Sequence, residues 1–118
     1  MKNMNQIDAL TKIIDDFRDA RDWRQFHNPK DLAISLSLEA GEVLEHFQWK
    51  SQEEIKKYVK EYKKEIADEL ADVFYWVLLM SSDLDIDIEK ALKLKMKENN
   101  KKYPVKKAKG KHTKYNKL

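Results

Sequence analysis

Two pairs of acidic residues, Glu39 with Glu42 and Glu69 with Asp72, have types and spacing that could do chemistry. Residues three apart on a helix project from one face, so each pair offers two carboxylates to a common point. Carboxylates gathered in this way hold hard divalent cations. The chain has no Cys and no paired His, and an oxygen-only set suits Mg²⁺, or Mn²⁺, rather than zinc. Spacing alone is a weak signal, because such pairs recur by chance in a chain with 21 acids among 118 residues; Asp16 with Asp19 is read as one. The surroundings say more. Leu36, Leu38, Ala40, Val43 and Leu44 flank the first pair and Leu70, Ala71, Val73 and Phe74 the second, so both helices are apolar around most of their circumference. Carboxylates near a bundle interior are costly unless a cation neutralises them. The alternative is that they are solvated or paired with Lys from neighbouring helices. Gly41, which costs about 1 kcal/mol relative to Ala inside a helix, predicts close approach of another group.

The elements that must position these acids are helices. Only 2 Gly and 2 Pro punctuate the chain, far fewer than an all-β sandwich or barrel needs. Ile7, Leu10, Ile14 and Phe17 recur at helical spacing with Asp8, Lys12, Asp15 and Arg18 between them, predicting a helix from about Asn5 to Trp23. Asn28 as N-cap and Pro29 at the first helical position open a second, running to about Gln48. Ser51 with Glu54 forms a capping box for a third region reaching about Ser82, long enough to accommodate a break between Tyr58 and Tyr62. Asp83 to Asp87 is a polar connection, and Asp87 caps a last helix that stops before Pro104. The expectation is an all-α, four-helix antiparallel bundle over residues 1–104 with a basic tail over 105–118.

The net charge of +3 conceals an asymmetry: Lys101 to Leu118 holds eight Lys and no acid, leaving 16 basic against 21 acidic residues in 1–100. Such an end is usually a solvated tail. The competing function class is a non-enzymatic helical module that binds nucleic acid or an acidic partner through it. The absence of Cys excludes disulfides, thiolate zinc sites and a Cys nucleophile. The opening MKNMNQIDAL has no apolar h-region, and the longest apolar run, Val73 to Met80, is eight residues where a membrane span needs about 20. A cytoplasmic protein without membrane association is expected.

Several motifs in order extend the acidic pairs. They are Leu38-Glu39-Ala40-Gly41-Glu42-Val43-Leu44-Glu45 with Phe47-Gln48-Trp49, then Glu65 to Val73, then Lys95, Asn99 and Tyr103-Pro104 at four-residue spacing. With Arg21-Asp22-Trp23, Gln25-Phe26-His27, Pro29 and Lys114-Tyr115, this pattern resembles the MazG-like all-α nucleoside triphosphate pyrophosphohydrolases, and among them the dCTP pyrophosphatase group. The resemblance covers nearly the whole chain.

It implies hydrolysis of a nucleoside triphosphate between the α and β phosphates, on dCTP or a modified dCTP, with Glu39, Glu42, Glu69 and Asp72 holding Mg²⁺ (Mn²⁺ as a substitute). Glu42 and Glu45 are then catalytic, Glu45 binding a second ion or orienting water, unless it is an ordinary helix acid. Lys95, Asn99 and Tyr103 share one helix face and would contact phosphate and sugar; without the resemblance that stripe reads as solvent-facing. Trp23 and Trp49 would stack on the base, their ordinary reading being core or subunit packing. His27, by itself a loop or capping residue, joins the substrate-binding set, and Phe74, Tyr75 and Trp76 are read as bundle or dimer packing. The resemblance also implies a homodimer or homotetramer, and no nucleic-acid partner. Two departures weaken cytosine preference more than the chemistry: a short Trp49–Glu65 stretch, and Ile14 at a position the resemblance assigns to a polar base-facing residue.

Overall fold

The computed structural model describes residues 4–118, all of whose regular elements are helical. Of the opening segment, residues 1–3 lie outside that description. The chain divides into two compact units, one up to Asp85 and one over Ile86–Leu118. The first contains α1 (Gln6–Ala20), α2 (Pro29–Glu45), α3 (Gln52–Glu61) and α4 (Lys63–Asp83). The second contains α5 (Ile88–Lys102) and α6 (Val105–Ala108).

Local chemistry starts α1, α2, α3 and α5, whereas α4 has no side-chain cap. The side chains of Asn5, Asn28, Ser51 and Asp87 accept from the backbone N–H three residues on, and Ser51 with Glu54 completes the expected capping box. Two bounds differ from expectation, and the break allowed between Tyr58 and Tyr62 is present. Helix α1 stops at Ala20 because Asp22 adopts a left-handed φ of 53°, after which Arg24–Phe26 forms a 3₁₀ turn. Helix α2 stops at Glu45, and its connection to α3 passes through Trp49 at a φ of 68°. The long third region divides at Tyr62, whose φ of −112° and ψ of 29° leave the helical basin. No Gly or Pro causes that break. One contact beside it is tertiary, Tyr58 Oη lying 2.6 Å from His46 Nδ1 at the end of α2, and one is local, the Tyr58 and Tyr62 rings stacking at 4.5 Å.

In the first unit α4 is the element against which α1, α2 and α3 each pack. Its core is thin. Leu32, Leu78 and Leu79 are the buried apolar side chains, while Leu10, Ile13, Ile34, Leu38, Leu70 and Phe74 stay exposed. Arg18, expected on the polar side of α1, is instead completely buried, its guanidinium donating to both carboxylate oxygens of Asp83 at 2.7 Å. Gly41 does not mark a close approach, since a Cβ there would meet nothing within 4 Å.

In the second unit the Lys-rich end is not a featureless tail. Helix α6 follows Pro104, Tyr115–Lys117 forms a 3₁₀ turn, and Tyr115 packs edge-on against Tyr103 at 6.0 Å with the Lys102 ammonium 4.9 Å from its ring centre. Among the described residues no helix is long and apolar enough to cross a membrane.

Candidate active site

Helices α2 and α4 carry the two acidic pairs on faces that meet. Glu39, Glu69 and Asp72 each bring one carboxylate oxygen within 4.8 Å of the others. Among the described residues none of these three, nor Glu42, is ion-paired with Lys or Arg; Lys64 pairs at 2.9 Å with Asp68, next to Glu69. Oε2 of Glu39 and Oε2 of Glu69 are buried without a hydrogen-bond partner. Pairing with Lys from neighbouring helices, the alternative open at the level of spacing, is thus not what this structure contains.

Crowding like charges under partial burial favours the protonated form. Burial, then hydrogen bonding to Glu42, then the charges of Glu42, Asp72 and Glu69 push the Glu39 carboxyl up to about 6. Glu69 is also raised, first by hydrogen bonding to Glu42 and next by burial. A raised folded-state pKa means that the protonated form favours the fold, so this contribution is full below the ordinary 4.5 and is lost as pH rises through about 6. The cation-free protein is therefore expected to lose melting temperature, relative to Glu39→Gln, as pH rises through that window. A divalent cation is expected to restore the loss at neutral pH. Melting curves in EDTA and in a divalent cation across the window check both.

Beside the acids lies a cavity of about 440 Å³ lined by Glu39 of α2, Asp72, Tyr75 and Trp76 of α4, Ile13, Ile14 and Phe17 of α1, and Trp23. Helical spacing explains the α4 wall, since Tyr75 and Trp76 follow Asp72 by three and four positions. The rings brace one another: Phe17 meets Trp23 at 5.6 Å and Tyr75 at 6.4 Å, and Tyr75 meets Trp76 at 4.9 Å, all edge to face. The Arg21 guanidinium caps the Phe17 ring at 3.9 Å, and the Trp23 N–H donates to the Arg18 carbonyl at 3.2 Å.

His27 contacts the cavity wall from behind: its Nδ1 lies 3.3 Å from Arg18 Nη1 and its ring meets Trp76 edge-on at 5.7 Å. Desolvation first, and the Arg18 charge second, lower its pKa. Trp49 is 92% exposed. Glu42 and Glu45 are exposed on α2 and neither is among the three converging carboxylates, although the Glu42 charge acts on Glu39 and Glu69. Lys95, Asn99 and Tyr103 lie in the second unit, where the Lys95 ammonium is 3.4 Å from Glu98 and Asn99 Nδ2 is 3.9 Å from Met96 Sδ. Tyr75 and Trp76, read from the sequence as packing residues, line the cavity, as does Phe17 of the α1 apolar stripe.

A carboxylate cluster facing an aromatic cavity on an all-helical frame is what the sequence motifs anticipate, and a family model matches residues 34–118, that of the MazG-like family. The chain belongs to the MazG-like family. It is 33% identical to dCTP pyrophosphatase 1 of Rattus norvegicus over 114 residues, covering 95% of this chain and 67% of that one. With dCTP pyrophosphatase 1 of Bos taurus the identity is 31%, covering 95% of this chain and 68% of that protein. A crystal structure of a pyrophosphatase from Archaeoglobus fulgidus superimposes with a TM-score of 0.81 at 37% identity, over 88% of this chain and 97% of that one. The MazG-like assignment matches the all-α architecture expected from the sequence. Within this MazG-like chain the acids supply only oxygen ligands and the cavity only stacking surfaces, with no Ser, Cys or His nucleophile among its lining residues.

Proposed function

We propose that this MazG-like protein is a nucleoside triphosphate pyrophosphohydrolase that adds water across the α–β phosphoanhydride of dCTP or a modified dCTP, releasing the monophosphate and pyrophosphate. The observation that carries the reading is the unpaired carboxylate cluster opening onto the aromatic cavity. The family and the names of its dCTP-cleaving relatives support the reaction class.

The residues suit a divalent cation. Two buried carboxylate oxygens without partners are what a cation would satisfy, and an all-oxygen donor set suits Mg²⁺ or Mn²⁺ rather than zinc. Glu39, Glu42, Glu69 and Asp72 would hold it. Bound there, the cation neutralises phosphate charge and lowers the pKa of a water, so no protein nucleophile is required. Glu45, exposed one turn beyond Glu42, orients the attacking water. Trp23 stacks on the base, within a wall formed by Phe17, Tyr75 and Trp76. His27 acts behind that wall as a positioning residue for Trp76 rather than as a substrate contact. In the second unit Lys95, Asn99 and Tyr103 offer an ammonium, an amide and a phenol, groups suited to phosphate and sugar.

The exposed apolar side chains of α1, α2 and α4, together with Trp49, support self-association as a homodimer or homotetramer, because this surface leaves a single copy with little buried core. The test of the reading is pyrophosphate release from dCTP: it should require Mg²⁺, stop in EDTA and return when Mg²⁺ is restored in excess. Turnover indifferent to EDTA would remove the carboxylate cluster from the mechanism.

A further inference from the structure

We infer that the aromatic cavity takes a pyrimidine base without reading its hydrogen-bonding edge, so that uracil and thymine deoxynucleotides are hydrolysed as readily as their cytosine counterparts. The inference rests on the proposed pyrophosphohydrolase activity and deepens it by naming the substrate class.

Cytosine and uracil differ in what they present at positions 3 and 4. Cytosine offers an acceptor and an amino donor, whereas uracil and thymine offer a donor and a carbonyl acceptor. A site that separates them needs a fixed acceptor for one and a fixed donor for the other, and sites built that way reject the wrong partner by about 10⁴–10⁵, because a buried polar group is left unpaired. Among the described residues the cavity is lined by no such pair. Six of its lining residues, Ile13, Ile14, Phe17, Trp23, Tyr75 and Trp76, carry no amide, carboxylate or guanidinium. The remaining two, Glu39 and Asp72, belong to the carboxylate cluster.

Backbone groups do not fill the gap. Every lining residue except Trp23 lies within α1, α2 or α4, where peptide groups bond along the helix. At Trp23 the N–H donates to the Arg18 carbonyl, and the carbonyl accepts from the Phe26 N–H at 3.0 Å. What remains is amphoteric or one-sided. The Tyr75 hydroxyl both donates and accepts, so it satisfies either edge; an indole N–H can donate to the 2-carbonyl that all these pyrimidines share. Ring faces and apolar walls recognise size and π-surface, which cytosine and uracil have in common. An apolar pocket discriminates only weakly between bases of one shape.

The test uses substrate pairs that differ in the edge alone: dCTP against dUTP, and 5-methyl-dCTP against dTTP, each assayed for pyrophosphate release in Mg²⁺. The ratio of kcat/KM within each pair is expected to stay within about tenfold. A larger preference for either member in either pair, with turnover otherwise robust, overturns the inference while leaving the pyrophosphohydrolase reading intact. No release from any of the four overturns that reading and the inference with it. Tyr75→Phe supplies an independent arm: it is expected to lower kcat/KM for dCTP and dUTP by the same factor. A loss confined to one of them would make Tyr75 a reader of the edge and overturn the inference.

Discussion

Glu39→Gln is expected to lower kcat on dCTP by roughly a thousandfold or more, while the metal-free variant melts at or above the temperature of metal-free wild type. Cation stabilisation of transferring phosphate charge contributes several kcal/mol, and about 4 kcal/mol corresponds to a thousandfold in rate. Glu39 stands where that contribution depends on a full negative charge, since its carboxylate is one of three whose oxygens converge within 4.8 Å. The stability half of the prediction has the opposite sign. Burial and the neighbouring Glu42, Asp72 and Glu69 charges disfavour ionised Glu39, and its Oε2 has no partner. A neutral amide of the same shape removes the repulsion and offers N–H donors to those neighbours. Calorimetry in EDTA at neutral pH measures one half and steady-state kinetics the other. A variant that melts well below wild type without metal would make Glu39 a structural partner and dissolve the site.

The largest loss of stability is expected at Arg18. Its guanidinium is fully buried, donates twice to Asp83 at 2.7 Å, and also lies 3.5 Å from Asp15 Oδ1. Asp83 is held below the usual carboxylate range chiefly by the hydrogen bonds from Arg18, and its side chain is only 18% exposed. Removing Arg18 leaves Asp83 only the more exposed Arg24, 3.5 Å away, and breaking a buried pair in this way costs about 3–5 kcal/mol, so Arg18→Ala should lower the melting temperature by roughly 10 °C or more. Replacing both charges with apolar groups of similar volume, as in Arg18→Met with Asp83→Leu, should recover most of the loss. The double variant separates a stranded charge from lost packing. If it is as unstable as Arg18→Ala, the pair matters through shape and not through charge.

Arg18 also marks where sequence reading stops. Helix starts were legible because a cap is a local bargain between one side chain and an N–H three residues on, as at Asn5, Asn28, Ser51 and Asp87. The acidic pairs were legible because helical spacing and apolar neighbours place them inward without any knowledge of the partner helix. The Arg18–Asp83 pair joins residues 65 apart, and nothing near Arg18 distinguishes it from the solvated Lys12, which pairs one turn away with Asp16. The break at Tyr62 was legible only as a question of length, since the contacts of Tyr58 and His46 that accompany it lie between elements. Tyr75 and Trp76 read as packing because an aromatic that lines a cavity and one that fills a core share the same helical periodicity. Gly41 shows the reverse error, a sequence signal of close approach in a place where the structure has open space.

The central claim, that the acidic cluster and aromatic cavity hydrolyse the α–β phosphoanhydride of a pyrimidine deoxynucleoside triphosphate, is tested most directly by ³¹P NMR of the products formed from dCTP in Mg²⁺. The account predicts resonances of dCMP and pyrophosphate growing in equal amounts, with none formed in EDTA. Resonances of dCDP and orthophosphate in their place would assign the cleavage to the wrong bond and contradict it.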